Sequence, residues 1–488
     1  MIKKLLRYCV VAIAIFMLVI ACNSDTQLNN TQIDKSRSRP KGRREASGLP
    51  YRSAYSGDFA SSPRSNKVLQ IWWDKGYSPE EDAALQKLVK KWSQKTGHKV
   101  EIDFYTLDQR SEKLQRYLQS GSAPDVFISF KTESTLIPRL AWEGKLIDVT
   151  SIIEPTKEIY EPKALATAYY YNNVERKRSY YAVPIYRAGL HIYYWKDLVA
   201  KTGRTAADIP QDWDGFWQFW LDVAKDLKNQ HQQDILPIGL PMSVETGDTY
   251  QAFEYILEAY NVKLLDEEGN LLVDDPQVRQ GIIQCLDWYT QFYLQGYTPK
   301  DAVDWNNAAN NHQLLNREIL TTTNATLSIP AALRQDSNAY RHQLGIVELP
   351  NKPNGEPMRH IFLVEQAVIF DDAKHPELAK DFLLYLTQPK VINTFVKESL
   401  RLSPVYISAY DDPYWTNPED PHNSTATKTL TKSEIRPIYP ANSPAYSIVL
   451  QENIWGQSLE KIVLNNITAE QAADEAIARI KEIFAEWK

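Results

Sequence analysis

From residue 67 onward the chain alternates short apolar runs with stretches in which apolar residues recur every three or four positions. "KVLQIWW" (67–73) has strand character, and "SPEEDAALQKLVKKWSQKTG" (78–97) reads as a helix capped by Ser78 and ended by Gly97. "KVEIDFY" (99–105) is a second strand, residues 107–120 repeat apolar positions at helical spacing, and "DVFIS" (125–129) is a third strand. Strand, helix, strand, helix, strand predicts a parallel α/β sheet whose crossover helices cover its faces. Ligands of such sheets gather at the carboxyl ends of the strands. Here those ends are Trp72-Trp73-Asp74, Tyr105-Thr106 and Ser129-Phe130-Lys131.

The stretch "YYAVPIYRAGLHIYYWKDL" (180–198) carries six aromatic residues and reads as two extended segments that break at Arg187-Ala188-Gly189. A second alternating region follows. It holds the amphipathic helix in "IPQDWDGFWQFWLDVAKDL" (209–227), a strand in "ILPIGLPM" (235–242), helices near 250–259 and 276–293, and a strand in "ILTTTNATLSI" (319–329). Strand-like "HQLGIVELP" (342–350) and "IFLVEQAVIF" (361–370) come next. "HPELAKDFLLYLTQPKVINTFVKE" (375–398) reads as one helix, and an amphipathic helix (468–488) closes the chain. No internal repeat of 20 to 50 residues is present.

The first 66 residues do not share this pattern. Lys3, Lys4 and Arg7 precede an apolar run of 13 residues (8–20), too short to span a bilayer core of about 30 Å and suited to an export signal over residues 1–21. "VIAC" (19–22) resembles the lipobox of bacterial lipoproteins, which implies a lipid on the thiol of Cys22. Residues 22–66 lack apolar periodicity and are rich in Ser, Asn, Arg and Gly, so they are expected to form a disordered tether. The basic run "KSRSRPKGRR" within it suits either a solvated linker or attraction to anionic headgroups.

The remaining body is large enough for two or three domains and is acidic. Taking the three basic residues of the leader and the tether's surplus of four from the formal charge of −6 leaves −13 for residues 67–488. That balance excludes an electrostatic footprint for nucleic acid. Of three cysteines, Cys9 lies in the leader, Cys22 at the lipobox and Cys285 alone on an apparent helix, so neither a disulfide framework nor a metal site is expected.

The order of segments resembles the extracellular solute-binding proteins of bacterial ABC sugar importers, the maltose-binding-protein-like family. The resemblance rests on "APDVFIS", "YAVPIYRAGLHIYYWKDLVAKTG", "IPQDWDGFWQF", "LGIVELP" and "HPELAKDFLLYLT", in that order. It implies an α/β fold of two lobes, each a mainly parallel sheet flanked by helices, with three crossings between them. The first crossing would lie at the break near Gly189, and the others near "HQLGIVELP" and "ESLRLSPVY". Lobe one would comprise residues 67–188 with 344–400, and lobe two residues 189–343 with 401–488. Hinge closure on a ligand is a known switching mode for this architecture.

A sugar offers flat C–H faces and a rim of hydroxyls, which call for aromatic rings beside carboxylates, amides and cations. Trp72 and Trp73 are adjacent on a strand and must face opposite ways, so one is expected in the core and the other in the cleft. Asp74 and Ser129 are candidates from the strand ends, and Tyr186 and Arg187 from the first crossing. Arg187 in an apolar run demands a partner, either a ligand or a structural carboxylate. Glu245, Asp248 and Tyr250 follow a strand of the second region. Trp305 and Asn306 in "DWNNAANN", Asn324 near the "TTTNAT" strand and Glu365 inside an apolar strand complete the set.

The sequence also departs from the family. Ala188 stands where some maltodextrin binders carry an acidic residue, Ser129 and Thr132 where larger groups occur, and Leu363-Val364-Glu365 where a glycine pair is expected. The maltodextrin specificity therefore does not carry over.

Gly-x-Ser-x-Gly, His-Glu-x-x-His, phosphate-loop and Cys-x-x-Cys motifs are absent, and the eight His are scattered. The expectation is a monomeric, non-enzymatic, cofactor-free lipoprotein that faces the periplasm or cell exterior. Its partners would be a carbohydrate, the permease subunits of an ABC transporter and the membrane through Cys22. A polyol, glycerol phosphate or peptide ligand is the alternative, and a secreted glycosidase a more distant one, since paired carboxylates are spatial.

Overall fold

The computed structural model describes residues 67–487, apart from 107, 108, 110–112, 115, 116, 118–120, 122, 433, 437 and 438. The expected leader, Cys22 and tether lie outside the described residues, as does most of the helix expected over 107–120.

Twelve strands are described: β1 (Val68–Asp74), β2 (Lys99–Tyr105), β3 (Val126–Ile128), β4 (Tyr169–Asn172), β5 (Lys177–Tyr180), β6 (Val183–Gly189), β7 (His191–Trp195), β8 (Leu236–Gly239), β9 (Ile319–Asn324), β10 (Leu344–Val347), β11 (Phe362–Val368) and β12 (Ser403–Pro404). One sheet has the order β12-β6-β11-β3-β1-β2 and a second the order β10-β7-β9-β8, so the chain forms two α/β lobes. β2, β1 and β3 run parallel, as do β8 and β9, and the strands that return from the other lobe pair antiparallel. A separate hairpin joins β4 to β5.

Local chemistry sets the elements that reach the cleft. The helix Pro79–Thr96 starts where the Ser78 side chain accepts the Glu81 amide and stops at Gly97, which is left-handed at φ 78°. The helix Gly247–Ala259 starts where Thr246 accepts the Asp248 amide, leaving Asp248 in its acidic first turn.

The aromatic stretch is a passage from one sheet to the other. β6 ends at Gly189 in the six-stranded sheet and β7 begins at His191 in the four-stranded one, with Leu190 between them. Its rings are held, not displayed: the Tyr193 hydroxyl donates to the Thr326 carbonyl at 2.9 Å, and Trp195 Nε1 to that of Leu314 at 2.7 Å.

Three expectations are corrected. Residues 375–398 form two helices, Pro376–Leu386 and Pro389–Ser399, because Gln388 precedes a proline and takes the extended conformation that such a residue favours. Leu344–Val347, expected in lobe one, is β10 and pairs with β7 of the other sheet. Ser403–Pro404, expected in lobe two, pairs with β6 in the six-stranded sheet. A boundary drawn from helix and strand order cannot see such edge pairings, which are fixed by contacts distant in sequence.

Candidate functional site

The carboxyl ends of β1, β2 and β3 face the loops after β8 and β9 across a cleft. After β1, Asp74 leads into the turn Lys75-Gly76-Tyr77. The carboxylates of the next helix hold that turn, with the Gly76 amide donating to Asp82 at 2.7 Å and the Tyr77 amide to Glu81 at 2.9 Å. Glu81 in turn grips Arg401 through two hydrogen bonds of 2.5 and 2.8 Å. After β3, Phe130 precedes Lys131, which sits in the left-handed region at φ 69°. This conformation is uncommon for a residue with a side chain and turns the chain abruptly at the cleft floor.

On the facing side, amides are cross-linked into a preset array. Asn324 Nδ2 donates to Asn311 Oδ1 at 2.6 Å, and Asn311 Nδ2 to Ser328 Oγ at 3.0 Å. Asn453 Nδ2 donates to the carbonyls of Val244 and Thr246 at 2.9 and 3.1 Å, which pins the loop carrying Glu245.

Two contiguous cavities occupy the cleft. The first, of about 540 Å³, is lined by Asp74, Tyr77, Phe130, Asp248, Asn311 and Asn324 among others. The second, of about 460 Å³, is lined by Glu245, Tyr250, Asp304, Trp305, Gln451 and Asn453 among others. Lys131, Asn306 and Asn307 border both.

Of the three cations that line the cleft, Lys131 and Arg401 are matched by carboxylates, whereas Lys75, exposed at its edge, has no ion pair among the described residues, and neither have Glu245 and Asp304 of the second cavity. Lys131 Nζ lies 2.7 Å from Asp248 Oδ1 and 3.2 Å from Asn307 Oδ1, and Arg401 is spanned by Glu81. Tyr77 also reaches across, its side chain hydrogen-bonded to Asn311, while burial raises its hydroxyl pKa above the ordinary value.

Of the sequence candidates, Asp74, Asp248 and Asn324 line the first cavity, Glu245, Tyr250 and Trp305 the second, and Asn306 both. The structure puts the other six elsewhere. Trp73 is 2% exposed and packs on Phe395 with ring centroids 5.7 Å apart. Trp72 faces the other way, as alternation requires, but meets Lys113, whose ammonium lies 4.5 Å from the ring centroid. Ser129 is buried at the end of β3 and its carbonyl accepts the Thr132 hydroxyl at 2.6 Å.

Arg187 takes the structural option. It is 1% exposed, donates from Nε to the Pro404 carbonyl at 2.9 Å, approaches Glu161 at 3.8 Å, and lies over Phe362 and Tyr410. Tyr186 and Glu365 bond to each other inside the core. Burial, with Asp74 next, pushes the Glu365 carboxyl well above the usual carboxylate range.

Sequence reasoning missed Tyr77, Lys131, Asn307, Asn311 and Arg401. The strand-end rule named Lys131 as a position and gave it no role, and within "NNAANN" only Asn306 was singled out.

The profile of bacterial extracellular solute-binding proteins matches residues 75–392. Similar solved structures include an ABC-transporter solute-binding protein of Thermotoga lettingae TMO bound to α-D-tagatose, with TM-score 0.69 and 19% identity over 86% of this chain and 99% of that one. Maltose-bound MalE3 of T. maritima also has TM-score 0.69 and 19% identity, over 86% and 100%. The sugar-binding protein MalE of Xanthomonas citri has TM-score 0.63 and 19% identity, over 86% and 98%. At these identities the likeness carries the fold. No curated protein matches the chain.

Proposed function

The chain belongs to the bacterial extracellular solute-binding proteins, and from that premise we propose that it captures a neutral carbohydrate between its lobes for delivery to an ABC permease. The observation that carries this reading is that both buried cations of the cleft already have carboxylate partners, which leaves exposed Lys75 as its one cation without an ion pair among the described residues. Lys131 is paired with Asp248, and Arg401 with Glu81. A phosphorylated ligand would call for convergent cations without carboxylate partners, because each phosphate must replace its hydration shell with charge-assisted hydrogen bonds. What the cleft offers instead is the carboxylates of Glu245 and Asp304, amides, hydroxyls and the rings of Tyr77, Phe130, Tyr250 and Trp305. Those groups suit the hydroxyl rim and apolar faces of a sugar.

Contacts from Lys131 and Tyr77 to the opposite side support closure of the lobes around the ligand. Binding then acts by favouring the closed population. Two of the similar proteins named above were solved with tagatose and maltose, which agrees with this ligand class. The lipobox at Cys22 supports a lipid anchor, with residues 22–66 as a tether that lets the lobes reach a permease.

A thermal-shift screen tests the reading with four solute groups: neutral mono- and oligosaccharides, polyols, sugar phosphates and short peptides. A ligand at a hundredfold excess over its Kd stabilises the folded state by about 2.7 kcal/mol. The expected hits are neutral sugars, and stabilisation by sugar phosphates or peptides alone contradicts the proposal.

A further inference from the structure

Lys131 divides the cleft. Its side chain is 5% exposed, its ammonium is anchored on Asp248 and Asn307, and it borders both cavities. The anchor is itself held: Asn307 Oδ1 also accepts the Thr246 hydroxyl at 2.9 Å. Space for the strut comes from Gly247, where a Cβ would fall 2.8 Å from Lys131 Cδ and 2.9 Å from Nζ. An ammonium has three protons, and two are used by Asp248 and Asn307.

The two chambers are alike in kind. Each has ring faces and amides, with Tyr77, Phe130 and Asn311 in one, and Tyr250, Trp305 and Asn453 in the other. Volumes of about 540 and 460 Å³ both fall within the ~300–1,000 Å³ of small-molecule sites. Either chamber alone accommodates one sugar ring, and a ring confined to one leaves the other filled with water.

We propose that Lys131 is a specificity-determining strut that makes the cleft a two-chamber site for a linear neutral glycan of at least two sugar units. The ligand lies over the strut with one ring or more in each chamber, and an oxygen near the linkage accepts the third ammonium proton. This inference rests on the carbohydrate reading and adds ligand length to it.

The test is calorimetric titration of the full chain with glucose and its linear α-1,4, β-1,4 and β-1,3 oligomers of two to five units. The expected result is that at least one series gains about ten- to a hundredfold in affinity from monomer to dimer or trimer, the worth of one charge-assisted hydrogen bond plus the second chamber. Lys131→Met should remove about tenfold or more of that gain, read as the ratio of oligomer to monomer affinity within each variant. Gly247→Ala, which pushes the strut aside without removing its charge, should act in the same direction, so a folding defect in one variant does not decide the matter. A monomer that binds as tightly as its oligomers overturns the two-chamber site and leaves the carbohydrate reading standing. A length preference that survives in both variants overturns the role of Lys131. Binding by none of the sugars overturns the carbohydrate reading and this inference with it.

Discussion

Tyr186 and Glu365 are cross-strand partners on β6 and β11, and the tyrosine hydroxyl donates to Glu365 Oε2 within the core. Burial is the main reason that Glu365 holds its proton, and the nearby Asp74 adds to it against the pull of Arg401. The folded-state pKa is raised, so the stability this group gives is fully present below about 4.5, its ordinary value, and is lost as pH rises toward the folded value. Glu365→Gln keeps the shape and removes the titration. Its melting temperature relative to the parent should therefore be higher at pH 8 than at pH 4.5, as followed by circular dichroism. A difference independent of pH contradicts a protonated Glu365.

Arg187 is buried among protein groups and hydrogen-bonded through Nε. Arg187→Met should lower stability by about 1–3 kcal/mol, because the Pro404 carbonyl loses its donor and Glu161 the cation 3.8 Å away. Ligand affinity in the folded fraction should stay within twofold. A large loss of affinity with no loss of stability would return Arg187 to the binding site.

The two indoles of β1 separate by face. Trp73→Ala opens a cavity against Phe395 and should cost roughly 3–5 kcal/mol in denaturant unfolding. Trp72→Ala loses a half-buried ring and its contact with Lys113, and should cost clearly less. Neither lines the cleft cavities, so neither should change affinity, and a tenfold loss on replacing Trp72 would contradict this placement.

Residues outside the described part of the chain carry the anchoring prediction. With Cys22→Ser the thiol at the expected lipid attachment point is gone, so the protein should leave the detergent phase on partitioning. Partitioning equal to the parent's contradicts attachment at Cys22.

The fold was legible wherever periodicity was strong. The helix Pro79–Thr96 has its Ser cap and Gly stop in the letters, and the break near Gly189 marks a real passage between sheets. β10 was legible as a strand but not by its sheet, and β12 not at all, since an edge segment of two to four residues takes its place only from a partner distant in sequence. The site was legible by strand ends but not by side-chain direction. Asp74 and Trp73 are neighbours on β1, yet one borders the cleft and the other fills the core. Lys131 was named only as part of a strand end, because its partner Asp248 is 117 residues away.

The most direct measurement is calorimetric titration of a neutral glycan found by the thermal screen against the parent and Tyr77→Ala. Tyr77 is half-buried, lines the first cavity and reaches Asn311 across the cleft. Its replacement should leave melting nearly unchanged and weaken binding by about 1–3 kcal/mol, the worth of a stacked ring on another planar ligand class. Unchanged affinity in Tyr77→Ala, or tight binding confined to charged solutes, would contradict a neutral carbohydrate held in the interlobe cleft.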